Sequence, residues 1–318
     1  MHESGSVLAP KTSSRLWMIL YRRLKTPAKV VETLGKFAIV VTVIQWLLEA
    51  PQRNNAAIFQ AWQVINSAAG QAGSSGRVQA LDELAQKHVD LEDLIIRGAV
   101  LKGLRLPRAR LPFADFRDSK ISNSDFHQAD IVRGNFSHSE LREDRFDGAS
   151  LDRTDFSHSS FSKTSFVTVY GSFWREGAEQ RSSGHTDTSL EGARFTHAQL
   201  WDCAFESAFL AGTDFARAQV LVTKFIDSRM DSANFSHAEI SGSHFEGSNL
   251  YRTSFRGAAL TCVSFRGASL REVDFTGARL DGVDFTDAKE FDKATLRHAT
   301  VVHAVPPHKA SISIGPCM

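Results

Sequence analysis

Residues 231–285 read DSANFSHAEISGSHFEGSNLYRTSFRGAALTCVSFRGASLREVDFTGARLDGVDF, and a large apolar side chain falls at every fifth position. Phe235, Phe245, Phe255, Phe265, Phe275 and Phe285 alternate with Ile240, Leu250, Leu260, Leu270 and Leu280. An α-helix turns about 100° per residue, so a step of five would scatter these side chains around its cylinder. A strand alternates in and out with a period of two. The small residue two before each large one (Ala233, Ala238, Ala258, Ala268 and Ala278) therefore shares its side, and the residue between them faces out. The two remaining residues of each unit turn a corner. A chain that bends after every unit closes around a dry interior.

Working outward, the same beat runs from Ile96 through Phe166 and again from Leu190 through Phe285. In the second stretch phenylalanine and aliphatic residues alternate, a ten-residue super-period that divides evenly into a four-sided coil of twenty. That predicts Phe195, Phe215, Phe235, Phe255 and Phe275 in one column and Phe205, Phe225, Phe245, Phe265 and Phe285 in the opposite one. Coils about 4.8 Å apart suit offset ring stacking. Val263, Val273 and Val283 replace the small residue on the phenylalanine sides only. Asp144 occupies an inward small-residue slot, where it needs a partner such as a nearby hydroxyl.

The units ADFRD (114–118), ADIVR (129–133), ASLDR (149–153), ANFSH (233–237), ASLRE (268–272) and ARLDG (278–282) resemble the pentapeptide-repeat family. The resemblance covers residues 91–301 and implies an all-β solenoid, a right-handed quadrilateral parallel β-helix, here with an N-terminal α-helical extension. AWQVINSAAGQAGSSGR (61–77) resembles a segment ahead of the repeats in bacterial, often membrane-linked members.

The expected organisation is a basic segment over 1–29, an apolar anchoring helix over 30–50, and a helical linker with N-terminal cap over 51–90. A first repeat array over 91–166 follows, then an interrupting loop over 167–189, a second array over 190–301 and a tail over 302–318. RVQALDELAQKH (77–88) has helical apolar spacing and serves as the cap that an open solenoid end requires. After Phe285 the register slips by one at Phe291 and resumes at Leu296 and Val301.

FAIVVTVIQWLL (37–48) is strongly apolar but short for a bilayer span, and lengthening it to Val30 takes in Glu32 and Lys36. Basic residues crowd its N-terminal side, which favours a cytoplasmic N-terminus if the segment spans. The alternative is an apolar helix buried against a partner or lying in the interface. Anchoring in either the spanning or the interfacial form is the favoured reading and places the chain at a membrane, expected to be the bacterial inner membrane; the side taken by the solenoid depends on which form applies.

Lys+Arg at 37 against Asp+Glu at 36 leave no long-range field to draw in nucleic acid. Cys203, Cys262 and Cys317 indicate neither a zinc site nor a disulfide framework, and no phosphate loop, nucleophile elbow or paired carboxylate in a plausible pocket occurs. No cofactor, metal or catalytic residue is assigned.

The candidate partner surface comprises Phe173 and Trp174 in the loop, and Trp201, Phe209, Leu221 and Val222 on the coils. Trp201 and Leu221 take the same outward corner one coil apart, and Phe209 widens the patch. His138 and His158 stack outward, as do His197, Arg217 and His237; they read as solvated corners of the FSHS and FSHA units, with a metal ladder as the other reading. The leading function is a non-catalytic protein-binding or scaffolding solenoid, membrane-tethered, with an unknown partner. Quinolone-resistance members of the family imply an alternative, a DNA mimic acting on a type II topoisomerase. An enzyme built from the loop and N-terminal helices is the third reading.

Overall fold

The computed structural model describes residues 27–67, 76–168 and 187–305. They belong to two units, one ending at Phe59 and one starting at Gln60, each described by itself.

Helix α1 (Pro27–Ser67) is continuous, so the expected boundary between 30–50 and 51–90 is not an element boundary. Phe37, Ile39, Val40, Val41, Val43 and Ile44 are exposed along it. No helix among the described residues is long and apolar enough to cross a membrane. The apolar run over 37–48 makes about 18 Å of helix against a hydrocarbon core of about 30 Å. The transmembrane reading of residues 30–50 is therefore not supported.

The second unit holds the solenoid. Strands β1 (Val100–Lys102), β2 (Lys120–Ser122), β3 (Glu140–Arg142), β4 (Ser160–Ser162) and β5 (Gln199–Trp201) lead into β6 (Gln219–Leu221) and β7 (Glu239–Ser241). With β8 (Ala259–Thr261), β9 (Arg279–Asp284) and β10 (Thr300–Val305) they form one parallel sheet in chain order. Each coil adds three further parallel bridges, as at Ala204–Lys224, Phe209–Arg229 and Asp214–Asn234, which gives four sides. Nine steps between ten strands, at about 4.8 Å each, make a stack about 43 Å long.

Local chemistry explains each position of the unit. The large residue is buried throughout, from Ile96 to Phe285. An Asp or Asn before it caps the corner: Asp155 accepts the Ser157 N–H at 2.9 Å, Asp214 that of Ala216 at 3.0 Å, and Asn234 that of Ser236 at 3.0 Å. Where the inward small slot holds a hydroxyl, it donates to a backbone carbonyl, in the preceding coil for Thr154 (Ile131, 2.8 Å) and Thr253 (Met230, 2.7 Å) and in its own coil for Thr223 (Leu221, 3.0 Å). These inward hydroxyls thereby keep hydrogen-bond partners inside the core.

Two phenylalanine columns run from the second coil, where Phe116 and Phe126 follow Ile96 and Leu106, to Phe275 and Phe285. Phe116, Phe136, Phe156, Phe195, Phe215, Phe235, Phe255 and Phe275 form one, with successive centroids 4.6–5.2 Å apart. Phe126, Phe146, Phe166, Phe205, Phe225, Phe245, Phe265 and Phe285 form the other at 4.7–5.4 Å. The columns also meet across the core: Phe225 and Phe235 stand edge-on at 5.8 Å and 87°. The interior is therefore a continuous herringbone of stacked and edge-to-face rings, an arrangement that the ring quadrupole favours.

Helix α2 (Arg77–Gln86) buries Leu81 and Leu84 completely, and Asp82 accepts the Arg105 N–H at 2.7 Å. At the other end the extra residue is absorbed near a short 3-10 turn, Phe291–Lys293. Ser269 bridges Lys289 twenty residues on, whereas Asp274 bridges Thr295 twenty-one on.

The insertion does not interrupt the stack. Ser150 bridges Ser189 and β4 pairs directly with β5, so nineteen residues are excised from one corner. Two buried threonines close the cut. The Thr168 hydroxyl donates to the Ser207 carbonyl at 2.7 Å and accepts the Thr188 N–H at 3.1 Å. The Thr188 hydroxyl donates to the Val167 carbonyl at 2.7 Å and accepts the Gly148 N–H at 2.6 Å. Deleting residues 169–187, with Thr168→Gly to suit the corner, should leave the melting temperature within a few degrees of native. A collapsed circular-dichroism melt would show that the insertion carries the stack.

Candidate binding surface

Trp201 and Leu221 are paired in register across β5 and β6. They are 51% and 44% exposed, and Val222 beside them is 48% exposed. Three large apolar side chains thus stand in solvent on one corner of a stack whose other apolar side chains are mostly sealed.

Val222 has φ +52°. The second turn residue of nearly every unit adopts this left-handed conformation, filled elsewhere by Gly, Asp, Asn, Ser, His, Arg and similar residues. Val222 is the only β-branched residue with positive φ among the described residues. Its Cβ substituents crowd the backbone there, at a cost of about 1–2 kcal/mol. Gly242 takes the equivalent place one coil on. Val222→Gly should therefore raise stability by about 1 kcal/mol in a denaturant titration; a loss of stability would show that valine is there for packing.

Phe209 does not join this patch. It bridges Ser189 and Arg229, two ladders further round the coil, with the Arg229 guanidinium 5.3 Å from its ring centroid. Sequence proximity misled here, because eight residues along a square coil cross to the opposite side. The base of the insertion lies one corner from the patch, separated by the face carrying Ser165, Ala204 and Lys224. Phe173 and Trp174 fall outside the described residues.

Charge on the coils is largely self-paired. Lys120 meets Glu140 at 2.8 Å, Arg252 meets Glu272 at 2.8 Å and Arg256 meets Asp274 at 2.9 Å, each in the next coil. Arg271 and Arg279 also have acidic neighbours. The apparently basic set of the second array is thereby neutralised. Burial pushes the Asp115 carboxyl up, but hydrogen bonds from Arg117 and Arg97 outweigh it and hold the group below its ordinary range.

Excising the insertion joins two histidine sets into one. His138, His158 and His197 stack with centroids 4.9 and 4.7 Å apart and planes within 7°. Desolvation, then the neighbouring His197 and His138, lower the His158 pKa. Among the described residues no group of three or more His, Cys, Asp or Glu side chains is placed to hold a metal. Cys203 is buried and free, its thiol pushed up to about 12 by burial; Cys262 is disulfide-bonded.

Asp144 lies 1% exposed in its inward slot. One carboxylate oxygen accepts the Ser124 N–H at 2.8 Å, and the other has no hydrogen-bond partner. Desolvation raises its pKa to about 7.

A shallow recess of about 320 Å³ opens on another corner, lined by Phe113, Val132, Arg133, Asp152, Arg153 and Glu191. It was not visible in the sequence, although Phe113, Arg133 and Arg153 recur at twenty-residue spacing.

No curated protein matches the chain. Among solved structures, the chain is similar to HetL, a pentapeptide repeat protein involved in heterocyst differentiation regulation from the cyanobacterium Nostoc. Identity is 19%, with 69% of this chain and 91% of HetL covered and a TM-score of 0.34. QnrB1, a plasmid-mediated fluoroquinolone resistance protein, is 14% identical, with 65% and 93% covered and a TM-score of 0.40. Family models match in two regions: pentapeptide repeats over 95–131 and 135–166, and a pentapeptide repeat region over 198–275. The five-residue beat, the four ladders and the family-model matches agree, and residues 95–131, 135–166 and 198–275 are pentapeptide repeats.

Proposed function

We propose that the chain is a non-catalytic binding scaffold whose stacked coils present Trp201, Leu221 and Val222 to a protein partner. The observation that carries this reading is Val222. A strained, solvent-exposed valine beside an exposed tryptophan and leucine costs the isolated fold stability, and a covering partner offsets that cost. A pull-down comparing native bait with Trp201→Ser/Leu221→Ser bait tests it. The same protein must be retained by the first and lost by the second; identical retention would overturn the reading.

The exposed apolar residues of α1 support tethering at a membrane surface, in the interfacial rather than the spanning form. The bacterial inner membrane is the surface proposed. Removing residues 1–50 should abolish sedimentation with lipid vesicles while leaving the solenoid's far-ultraviolet spectrum intact. A truncated protein that still pellets would exclude the tether.

A DNA mimic aimed at a type II topoisomerase requires an acidic flank. Residues 190–301 carry 12 Lys+Arg against 15 Asp+Glu, and many of these are paired. Charge therefore does not favour that alternative, and absence of gyrase inhibition at micromolar protein would discard it.

A further inference from the structure

We infer that the corner formed by Phe113, Arg133 and Arg153 is a binding site for a phosphate carried on a flat ring, the chemical class of a nucleoside monophosphate. The three residues stack in successive coils, all in the left-handed corner position, with φ of 61°, 58° and 57°. Elsewhere on the solenoid arginines commonly meet an acid of their own or the next coil, as Arg145, Arg252 and Arg256 do. Here two arginines follow one another directly, and neither has an ion pair among the described residues.

The acids nearby do not neutralise them. Asp152 is turned to its own ladder, accepting from the Ser189 hydroxyl and from the Glu191 N–H at 3.2 Å. Glu191 is exposed on the rim. Beyond Arg153 the column continues as Gly192 and Gly212. A Cβ at Gly192 would lie 3.6 Å from the Arg153 side chain and one at Gly212 would meet nothing within 4 Å, so no side chain covers that end.

The recess therefore offers three distinct contacts. The Phe113 ring is 43% exposed and carries the Arg133 guanidinium 5.8 Å from its centroid, so a flat ring would stack on this cation–aromatic pair rather than on a bare ring face. The side chains of Arg133 and Arg153, rooted at corner positions one coil apart, supply forked donors for a phosphate. The Glu191 carboxylate accepts from sugar hydroxyls. At about 320 Å³ the space is at the small end of ligand pockets and matches a mononucleotide rather than a longer chain.

The test titrates the full chain with adenosine monophosphate, inorganic phosphate and adenosine, reading the amide resonances of Val132, Arg133, Arg153 and Gly192. Adenosine monophosphate should shift these amides and bind more tightly than either fragment. Arg153→Asn, a residue tolerated in the left-handed corner, should weaken it by about tenfold or more with the melting temperature unchanged. Phe113→Asn should remove the advantage of the nucleotide over free phosphate. Unmoved amides at millimolar nucleotide, equal affinity for nucleotide and phosphate, or full binding by Arg153→Asn would each overturn the inference.

Discussion

Replacing Asp144 with serine is expected to stabilise the protein strongly at pH 8 and hardly at all at pH 4. The native carboxyl is sealed in the core with one oxygen unpartnered, and desolvation raises its pKa from 3.8 to about 7. Below the unfolded value both states hold the proton and the stabilising contribution is complete. As pH rises from about 4 to 7, the unfolded chain releases the proton while the folded chain retains it. Stability then falls by about 1.4 kcal/mol per pH unit, roughly 4 kcal/mol in all, and levels off above pH 7. Serine lacks this slope and fits the site, since Ser124 and Ser243 fill the same inward slot on other coils. Urea titrations of both proteins at several pH values isolate the effect, because every other titrating group cancels in the difference. A constant difference across that range would show that Asp144 ionises freely.

The same residue shows how far the sequence can be read. Asp144 was legible as an anomaly because the five-residue beat labels every position as inward or outward. The phenylalanine columns were legible for the same reason, and a missing residue in the count located the insertion. Geometry that depends on coils meeting was not legible. The Thr168–Thr188 clasp joins residues that a linear pattern separates, and Phe209 is near Trp201 in sequence yet across the coil from it. The edge-on contacts between the two columns follow from the width of the interior, which no spacing reports. Strain at Val222 becomes apparent only once its corner is known to be left-handed. Hydropathy alone overstated the apolar run of α1, since apolar character and spanning length are separate requirements.

The second large effect concerns the herringbone. Phe235 is completely buried, stacked on Phe215 at 4.6 Å and Phe255 at 5.1 Å, with Phe225 and Phe245 edge-on at 5.8 and 5.7 Å. Phe235→Asp removes a ring whose deletion alone costs about 3–5 kcal/mol and adds a carboxylate without a partner. The combined loss should exceed 5 kcal/mol. In a stack where each coil touches only its neighbours, the damage stays local at first. Hydrogen-exchange protection should vanish from the coils around Asn234 and Phe255 while persisting around Phe116 and Phe136. Phe235→Leu, which supplies the side chain used on the aliphatic sides, should cost only about 1–2 kcal/mol and preserve protection throughout. If the aspartate variant kept native protection at residues 234–255, the ring columns would not be what holds the coils together.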